Sequence, residues 1–509
     1  MNSKNLLAII FAGIFVFTSC KKNDEEPAVE EEKIVPENPA TFKEVASITL
    51  GTTGAAEISA YDPSTKKLFV VNNSIASKVD VIDLSSFPTI TKIQTLDFST
   101  TSGVANSVAV SNGLLAVALE ATNKTDNGSV AFLNTSTLVE TKRVTVGALP
   151  DMVTFSPDGN YLVSANEGEP NATYTIDPVG SVSIIDIKNG YTVKTLDFAG
   201  FESSLATLKI AGFRMYGLNA SFAKDIEPEY VAISPDSKKA WVTLQENNAI
   251  AEVDLSTGVI LKVVPLGVKD INLAANAFDV SDKDNKTELA TWPIKAFYLP
   301  DAISMFSTNG TSYLALANEG DTRDYGSVFN EEIKVSSLTL DPVRFPTASN
   351  LKLDANLGRL VVTKYNGDTD NDGDYDDLYT TGGRSVTILN ASTGQLVAEI
   401  GKDLEQRVIA AGKYDDTRSD NKGVEVEAVT VNKVNGQMIA FIGMERSDMI
   451  AVYDVSNAAS PVFLQLFSTG DAPEGLIYIK PKDSPNGRSI LIVSSEGDGT
   501  VKMYQPDKL

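Results

Sequence analysis

The segment 368–377 carries the densest group of potential metal ligands in the sequence, with six aspartates among the ten residues DTDNDGDYDD. Oxygen-bearing residues at positions 1, 3, 5 and 9 and glycine at position 6 follow the pattern of a calcium loop, in which alternating side chains surround the ion and glycine permits the bend. Position 12, where an EF-hand has a bidentate glutamate, is Tyr379, so Asp377 or a distant residue would complete the site. The pattern predicts a Ca²⁺ site, and a solvated acidic loop is the alternative. The predicted ligands are Asp368, Asp370, Asp372, Asp374, Asp376 and Asp377.

The other residue types narrow the chemistry further. The 509 residues include no histidine and one cysteine, and they carry a formal net charge of −24. Without histidine the chain cannot form a Ser-His-Asp triad, an HExxH zinc site or a histidine-ligated haem. Oxygen ligands favour Ca²⁺ over zinc or copper. The negative charge argues against a nucleic-acid partner, because a polyanion is repelled by an acidic surface.

A repeated unit positions further acidic residues. Each unit has an acidic or amide residue, an alternating strand, a turn, a second strand and usually a glutamate, and a third and commonly a fourth strand follow. Four short strands with period-two alternation are typical of a propeller blade. The units begin at Glu57, Asn106, Asp151, Glu229, Asp301, Glu427 and Glu474. The glutamates that follow the second strands are Glu120, Glu167, Glu246, Glu319, Glu445 and Glu496.

These repeats predict an all-β fold, a single seven-bladed β-propeller at residues 42–509. The units are spaced more widely after the third, fourth and fifth starts, so long loop insertions are expected in blades 3 to 5. The last unit has only three strands, whereas FKEVASITL at 42–50 resembles a fourth strand. We therefore expect the N-terminal strand to complete the last blade and to remove an open sheet edge.

In a propeller, the start of each first strand and the end of each second strand lie on one face, so the acidic residues are expected to converge there. Crowded carboxylates repel one another unless a cation or a partner intervenes. The interpretation is a cation- or ligand-binding mouth, and the alternative is that these side chains cap loop amides. Four loop arginines would suit an oxyanion on this face, or they pair with neighbouring carboxylates. They are Arg323, Arg384, Arg418 and Arg446.

The N-terminus has the features of an export signal. Lys4 precedes an apolar run at 6–17 that is too short to span a bilayer, and Cys20 follows. The arrangement resembles the lipobox of bacterial lipoproteins, which implies a signal peptide at 1–19 and a lipidated Cys20 that attaches the protein to the membrane. An ordinary signal peptide with an incidental cysteine is the alternative.

Residues 20–41 predict an acidic, solvated tether, because their composition cannot bury a core. The KKNDEE run after Cys20 is similar to the export tag of surface-exposed lipoproteins in the Bacteroidetes, although a simple spacer would look alike. The predicted location is therefore the outer membrane, with the protein exposed at the cell surface. Since the N-terminal strand would begin on the opposite face, we expect the acidic mouth to point away from the membrane.

Several phrases of the sequence resemble the choice-of-anchor I family of exported β-propellers, which is related to mesenchyme-specific cell-surface glycoproteins. The resemblance covers nearly all of the chain from about residue 42 and implies fold and export, but no assigned activity. The phrases are LPDMVTFSPDG at 149, ANEGEP at 165, EPEYVAISPD at 227, LQENNAIAEVDL at 244, ANEGDTRDYG at 317, GDTDNDGDYDDLY at 367 and FIGMERSDMIAVYDV at 441.

These observations leave two main functions open. The first is a binding or scaffold protein that holds Ca²⁺ and presents its acidic face to an extracellular glycan, mineral surface or protein. The second is a calcium-dependent phosphoesterase resembling propeller phytases, in which cations and basic residues hold phosphate and activate water. A quinone- or haem-dependent oxidoreductase ranks third. We expect binding rather than catalysis, because no nucleophile or general acid stands out, and we expect a monomer.

Overall fold

Short alternating runs separated by tight turns form antiparallel sheets throughout residues 35–509, which are the residues that the computed structural model describes. Seven sheets in this part of the chain have four strands each, and we number them along the chain. Sheets 1 to 4 consist of Ser59–Asp62, Lys67–Asn72, Lys78–Asp83 and Thr91–Asp97; Ala105–Ser111, Leu114–Leu119, Asn127–Asn134 and Glu140–Ala148; Pro150–Phe155, Tyr161–Asn166, Ser181–Asp186 and Thr192–Asp197; and Pro228–Ile233, Lys239–Leu244, Ala249–Asp254 and Val259–Pro265.

The remaining three sheets follow the same order, from the first strand to the fourth. In sheet 7 the fourth strand is the N-terminal one, which pairs antiparallel with the last strand of the chain. Sheets 5 to 7 consist of Ile303–Thr308, Thr311–Asn318, Ser385–Asn390 and Leu396–Ile400; Val426–Val434, Gln437–Met444, Met449–Asp454 and Val462–Ser468; and Pro473–Ile479, Ile490–Ser495, Thr500–Gln505 and Lys43–Thr49.

The first strands of consecutive sheets contact one another, and the first strand of sheet 7 contacts that of sheet 1. The sheets are therefore arranged in a closed ring with their first strands innermost. This is the arrangement of a β-propeller, in which radial repetition leaves only short sheet edges. Pairing between the N-terminal and C-terminal strands closes the ring between sheets 7 and 1.

Apolar side chains fill the space between each pair of neighbouring sheets, because alternation in every strand gives a sheet two buried faces. Between sheets 7 and 1, for example, Val70 and Ile82 pack with Ile492 and Met503. This repeated packing holds the ends of the first strands in fixed positions.

The segments outside the sheets are longest in and around sheets 3 to 5, as the spacing of the repeats predicts. The segments 266–302 and 319–384 share an apolar core of their own, which includes Phe278, Leu338 and Leu378. The short strands are Val268–Asp270, Lys295–Phe297, Asp324–Tyr325, Phe329–Asn330, Glu332–Lys334, Val361–Thr363 and Tyr379–Thr380. The helices are Ala199–Ser204, Leu205–Ile210, Phe222–Asp225, Ala274–Asn276, Val335–Ser337, Ala348–Leu351, Lys402–Ala410, Asp416–Arg418, Glu445–Ser447 and Pro481–Asp483.

The structure describes only part of the N-terminal segment for which the sequence makes predictions. The signal peptide at 1–19, Cys20 and residues 21–34 of the tether lie outside the described residues. Within residues 35–509, no helix combines the length and the apolar character that crossing a membrane requires.

The last seven residues of the predicted tether, 35–41, belong to the fold instead. Glu37 is 2% exposed, and its carboxylate pairs with Arg488 at 3.2 Å and accepts from the backbone N–H of Ser489. A buried carboxylate with these partners holds the segment in place, so a solvated tether cannot extend to residue 41. Ser489 directly precedes the second strand of sheet 7, and Glu496 directly follows it, so Glu37 lies at the end of this sheet opposite the acidic residues.

Candidate functional site: a ring of carboxylates at one end of the sheets

The residues that begin the seven repeats lie together at one end of the ring of sheets, and we call them the inner ring. Members from distant sheets are close enough to interact, since the charges of Asp301 in sheet 5 and Asp151 in sheet 3 both help to raise the pKa of Glu474 in sheet 7. The inner ring consists of Glu57, Asn106, Asp151, Glu229, Asp301, Glu427 and Glu474.

β-Bulges mark the positions of five inner-ring residues. The register between the first and second strands shifts at Asn106 in sheet 2, at Glu427 in sheet 6 and at Glu474 in sheet 7. Shifts of the same kind span Asp151 in sheet 3 and Glu229 in sheet 4. A bulge leaves its residue unpaired and redirects its side chain. At these strand starts, the inner-ring residue is therefore outside the regular ladder of backbone hydrogen bonds.

The backbone just before the inner ring is also unusual. The residue two positions before Asp151, Asp301, Glu427 or Glu474 has a positive φ of 49° to 53° and is not glycine. Such a left-handed conformation is costly for leucine, alanine and glutamate, and it persists only where the surrounding fold imposes it. Its recurrence in four sheets indicates that the geometry of the ring is set by the fold. The residues concerned are Leu149, Leu299, Glu425 and Ala472.

The inner ring concentrates negative charge without a basic partner. Within residues 35–509, none of its six carboxylates takes part in an ion pair. Burial, with a smaller contribution from neighbouring carboxylates, raises the pKa of Asp151 to about 7 and that of Glu57 to about 8. Burial and mutual repulsion raise the pKa values of Glu229, Asp301 and Glu427 well above their usual range. With pKa values raised in this way, the carboxyl groups favour their neutral form unless a positive charge lies beside them.

The glutamates that follow the second strands form an outer ring around the first. Glu246 is 7% exposed, and its Oε2 has no hydrogen-bond partner among the described residues. Glu120 accepts from Nδ2 of Asn106 at 3.2 Å. Burial, followed by repulsion from Asp151, raises the pKa of Glu167 well above its ordinary value. The outer ring consists of Glu120, Glu167, Glu246, Glu319, Glu445 and Glu496.

One part of the outer ring is neutralised by the protein itself. Glu319 and Glu445 bring carboxylate oxygens within 4.8 Å of Glu425, which is 0% exposed. Nζ of Lys422 lies 2.8 Å from Glu319, and Arg446 lies 2.7 Å from Glu445.

Glu425 itself pairs with Arg446 at 3.2 Å and with Arg418. Three cations therefore face three carboxylates, so this cluster is an ion-pair network that does not require a metal. Arg418 and Arg446 thus form ion pairs with carboxylates, which was the alternative interpretation of these residues.

Arg323 is buried in a second ion-pair network. Its side chain is 1% exposed, pairs with Glu227 at 2.9 Å and donates to the backbone carbonyl of Asp225 at 2.7 Å. The adjacent Arg214 and Glu331 form a pair with both side chains fully buried and Nη2 2.9 Å from each carboxylate oxygen. These contacts join the segments 198–227 and 319–384. Arg323 therefore forms ion pairs, the alternative given for it, but its partner Glu227 is distant in sequence, and nearby Glu319 pairs with Lys422.

Arg384 lies inside the fold rather than on the acidic face. It is 0% exposed, and its guanidinium donates to the backbone carbonyls of Asp279, Ser419 and Asn421 at 2.6 to 2.9 Å. It also contacts Glu405 at 3.4 Å. A guanidinium with these partners is not available to an oxyanion, which corrects the interpretation of Arg384 as a ligand-binding residue.

The aspartate-rich loop divides into two groups of oxygen ligands. Asp368, Asp370 and Asp372 bring one oxygen each within 4.8 Å of one another. Asp368 Oδ1 is buried and has no hydrogen-bond partner among the described residues, while Oδ2 accepts from the backbone N–H of Gly373 at 3.2 Å. Gly373 has a φ of 96°, which glycine adopts at no steric cost.

The second group includes a residue that the sequence did not point to. Asp374 and Asp376 cluster with Asp341, and a bridge between Leu340 and Tyr375 brings the two segments together. Desolvation, followed by repulsion from Asp372 and Asp341, raises the pKa of Asp374. The six predicted ligands therefore do not surround a single point.

Asp377 is engaged elsewhere, in ion pairs with Lys295 at 2.9 Å and Arg344 at 3.2 Å. It is therefore not the residue that closes the loop around an ion, which corrects that part of the sequence prediction.

Comparison with known protein families identifies the family of this chain. Residues 57–458 match the choice-of-anchor I domain. The chain belongs to the choice-of-anchor I family. The resemblance found in the sequence is therefore confirmed. The matched residues include every inner-ring member except Glu474, which lies in sheet 7.

Two curated relatives are similar over part of their length. Gigasin-3a of Magallana gigas is 27% identical over 189 residues, which cover 30% of this chain and 66% of that protein. The mesenchyme-specific cell surface glycoprotein of Strongylocentrotus purpuratus is 25% identical over 331 residues, which cover 56% of this chain and 41% of that protein. The chain thus spans less than two thirds of either relative.

Solved structures with similar chains share little sequence. Hydrazine synthase of Kuenenia stuttgartiensis aligns with a TM-score of 0.49 and 13% identity over 90% of this chain and 97% of its own. The Cps50 (Swd1) β-propeller domain of Myceliophteria thermophila aligns with a TM-score of 0.47 and 7% identity over 92% of this chain and all of its own.

Proposed function

We propose that the protein is an exported, cell-surface binding protein, a seven-bladed β-propeller that holds Ca²⁺ and presents its carboxylate rings to an extracellular ligand. Support for a surface location comes from two names. The family is the choice-of-anchor I domain, and one curated relative is a cell surface glycoprotein. Support for seven blades comes from the seven four-stranded sheets and the closed contact of their first strands.

The observation that carries the binding function is the inner ring. Its carboxylates converge from separate sheets, are only partly exposed to solvent and have no ion-pair partner within residues 35–509. Buried charge of one sign is costly unless a partner neutralises it. By contrast, the neighbouring carboxylates Glu319 and Glu425 have basic partners supplied by the protein. The difference supports a ligand of positive charge at the inner ring.

The calcium sites of this proposal are the two oxygen groups of the loop. Asp368, Asp370 and Asp372 form one group, and Asp341 with Asp374 and Asp376 forms the other. Ca²⁺ takes several oxygen ligands in flexible geometry, and water completes its coordination where protein ligands are few. The unpartnered Oδ1 of Asp368 supports the first group as the stronger site.

Binding is favoured over phosphoester hydrolysis because of the arginines. The hydrolytic alternative needs free guanidinium groups next to the metal, whereas Arg323 and Arg384 are buried and hold internal partners. Membrane attachment through lipid on Cys20 is part of the proposal and rests on the sequence.

Calorimetric titration of the protein with CaCl₂ tests the calcium sites. We expect heat of binding and a higher melting temperature in Ca²⁺ than in EDTA, since a ligand bound only by the folded state stabilises it by about 2.7 kcal/mol at 100 times its Kd. With an unfolding entropy of about 2.1 cal/mol/K per residue, this corresponds to about 3 °C for about 470 residues. A double variant, Asp368→Asn with Asp370→Asn, should lose most of the shift.

The matched control is Glu288→Gln, because Glu288 is an exposed acid that pairs with the equally exposed Lys286. It should keep the full response. A wild-type protein that gives no heat and the same melting temperature with Ca²⁺ or EDTA would eliminate the calcium sites.

A further inference from the structure

The buried side chain of Asp279 has a carboxylate oxygen without a partner. Asp279 belongs to the segment 266–302 and is 2% exposed, and its Oδ2 is buried with no hydrogen-bond partner among the described residues. Its Oδ1 accepts from the backbone N–H of Ser281 at 3.4 Å, which is a long contact. A buried carboxylate with so few donors is costly unless something outside the chain neutralises it.

The connection 401–425, between sheets 5 and 6, brings further unpaired acceptors to the same place. The backbone carbonyls of Asp279 and Asn421 both accept from the guanidinium of Arg384, at 2.7 and 2.6 Å, so the two segments lie side by side. In this connection, Oδ1 of Asn421 and Oδ1 of Asp416 are buried and have no partner among the described residues. Three oxygen atoms without a donor therefore belong to one junction between two segments.

Three carboxylates at this junction have no basic partner. Burial raises the pKa of Asp279 to about 7, and the charges of Asp416 and Asp284 add to the rise, so the three groups are close enough to interact. Within residues 35–509, none of them takes part in an ion pair. Like charges at this separation repel one another unless a cation lies between them.

The basic groups of the junction already have other partners. Asp282, in the same segment as Asp279, pairs with Arg359 at 2.5 Å. The charge of Arg384 opposes the rise in the pKa of Asp279, but Arg384 pairs with Glu405 at 3.4 Å and makes its shorter hydrogen bonds to backbone carbonyls. The junction therefore combines a surplus of negative charge with unpaired oxygen atoms.

We propose that a Ca²⁺ ion binds between Asp279 and Asp416 and joins the segment 266–302 to the connection 401–425. This site goes beyond the proposed function and shares no residue with the aspartate-rich loop. Among the described residues, the carboxylates of this junction are not a group of three within 4.8 Å of one another. The ligands are therefore two carboxylates, the amide oxygen of Asn421 and water, with Asp284 adding charge. Hard oxygen ligands of this kind, in flexible geometry, suit Ca²⁺.

The ion stabilises a segment that reaches the carboxylate rings. The connection 401–425 also carries Lys422 and Glu425, which pair with Glu319 and Arg446 in the ion-pair network of the outer ring. Calcium at the junction thus holds in place the part of the chain that neutralises this side of the outer ring.

Limited trypsin digestion of the full chain tests the site, with mass spectrometry to follow cleavage after Arg418 in CaCl₂ and in EDTA. Ser419, the next residue, is 0% exposed, so cleavage of this bond requires the segment to open and to release the ion. At a Ca²⁺ concentration 100 times the Kd, the open form becomes about 100-fold rarer, and cleavage slows by the same factor. Asp279→Asn and Asp416→Asn should each lose most of this protection.

Thermal melting separates metal binding from a purely structural role of Asp279. Asparagine has nearly the same shape and carries no charge, so Asp279→Asn should melt no lower than the wild type in EDTA but lower than the wild type in CaCl₂. A structural carboxylate would be missed equally in both. An Asp279→Asn protein that loses the same melting temperature in EDTA and in CaCl₂ would therefore contradict the proposal.

Two control variants keep the outcome decisive. Asp282→Asn loses the ion pair with Arg359 in the same segment, but it should keep the ratio between the two cleavage rates. Asp368→Asn with Asp370→Asn should also keep this ratio, so the junction and the loop sites fail or stand separately. Equal cleavage of the wild type in CaCl₂ and EDTA, or full protection of folded Asp279→Asn, would overturn the proposal.

Discussion

Replacing Glu57 by glutamine should stabilise the protein at neutral pH. Glu57 is an inner-ring residue, and its Oε2 accepts from Nδ2 of Asn73 at 2.7 Å. Burial raises the pKa of Glu57 to about 8; the Asn73 hydrogen bond opposes this rise, whereas Glu496 and Asp151 add to it. Glutamine has nearly the same shape and keeps an oxygen for the hydrogen bond to Asn73, but it carries no charge.

The magnitude follows from the two pKa values. Unfolded glutamate has a pKa of about 4.3, so below that pH both states bind the proton and Glu57 costs nothing. Between about 4.3 and 8 the unfolded state has lost the proton that the folded state keeps, and each pH unit lowers the free energy of unfolding by about 1.4 kcal/mol. At pH 7 the cost is about 2–4 kcal/mol after allowance for solvent screening. Glutamine removes this cost.

Thermal unfolding in EDTA at pH 7 and at pH 4 measures the effect. An unfolding entropy of about 1 kcal/mol/K for about 470 residues converts the gain into about 2–4 °C at pH 7, and the gain should vanish at pH 4. The exposed control Glu288→Gln should change neither value. A Glu57→Gln protein that melts lower than wild type at pH 7, or that gains equally at pH 4, would refute the idea that burial and nearby carboxylates make a charged Glu57 costly.

Two other changes test the surrounding structure and the anchor. Lys422→Met should lower stability by about 3–5 kcal/mol, because it leaves the carboxylate of Glu319 without its basic partner. Circular dichroism melting checks this, and a loss below about 1 kcal/mol would contradict the role given to Lys422. Cys20→Ser should abolish incorporation of labelled palmitate and release the protein from the membrane fraction; labelling that persists in the variant would place the lipid elsewhere.

The pattern of the repeats is enough to assign the acidic residues to one end of the fold. Alternation with a period of two identifies the strands, and the direction of successive strands puts the start of the first beside the end of the second. Asp151 and Glu167 therefore fall on the same end of sheet 3. What the pattern could not show is the bulge at Asp151, because a bulge adds one residue without changing the residue types around it.

The calcium loop shows where local spacing stops being informative. Asp368, Asp370 and Asp372 form a group as their spacing predicts, since they belong to one tight turn. Asp374 and Asp376 instead join Asp341, and no rule of spacing connects a residue that far back in the chain. The connection depends on the apolar core shared by the segments 266–302 and 319–384, where packing brings the chain around Leu340 beside the chain around Tyr375.

The sequence alone determined the all-β architecture, the repeat and the absence of histidine chemistry, because these depend on residue types and on periods of a few residues. Only the tertiary structure decided which acidic residues are neutralised. Lys422 meets Glu319 across 103 positions of the chain, and Arg323 meets Glu227 across 96. Ion pairs of this kind depend on how the insertions pack against one another. Glutamates at equivalent positions of two sheets can therefore differ, with a basic partner in one sheet and none in the other.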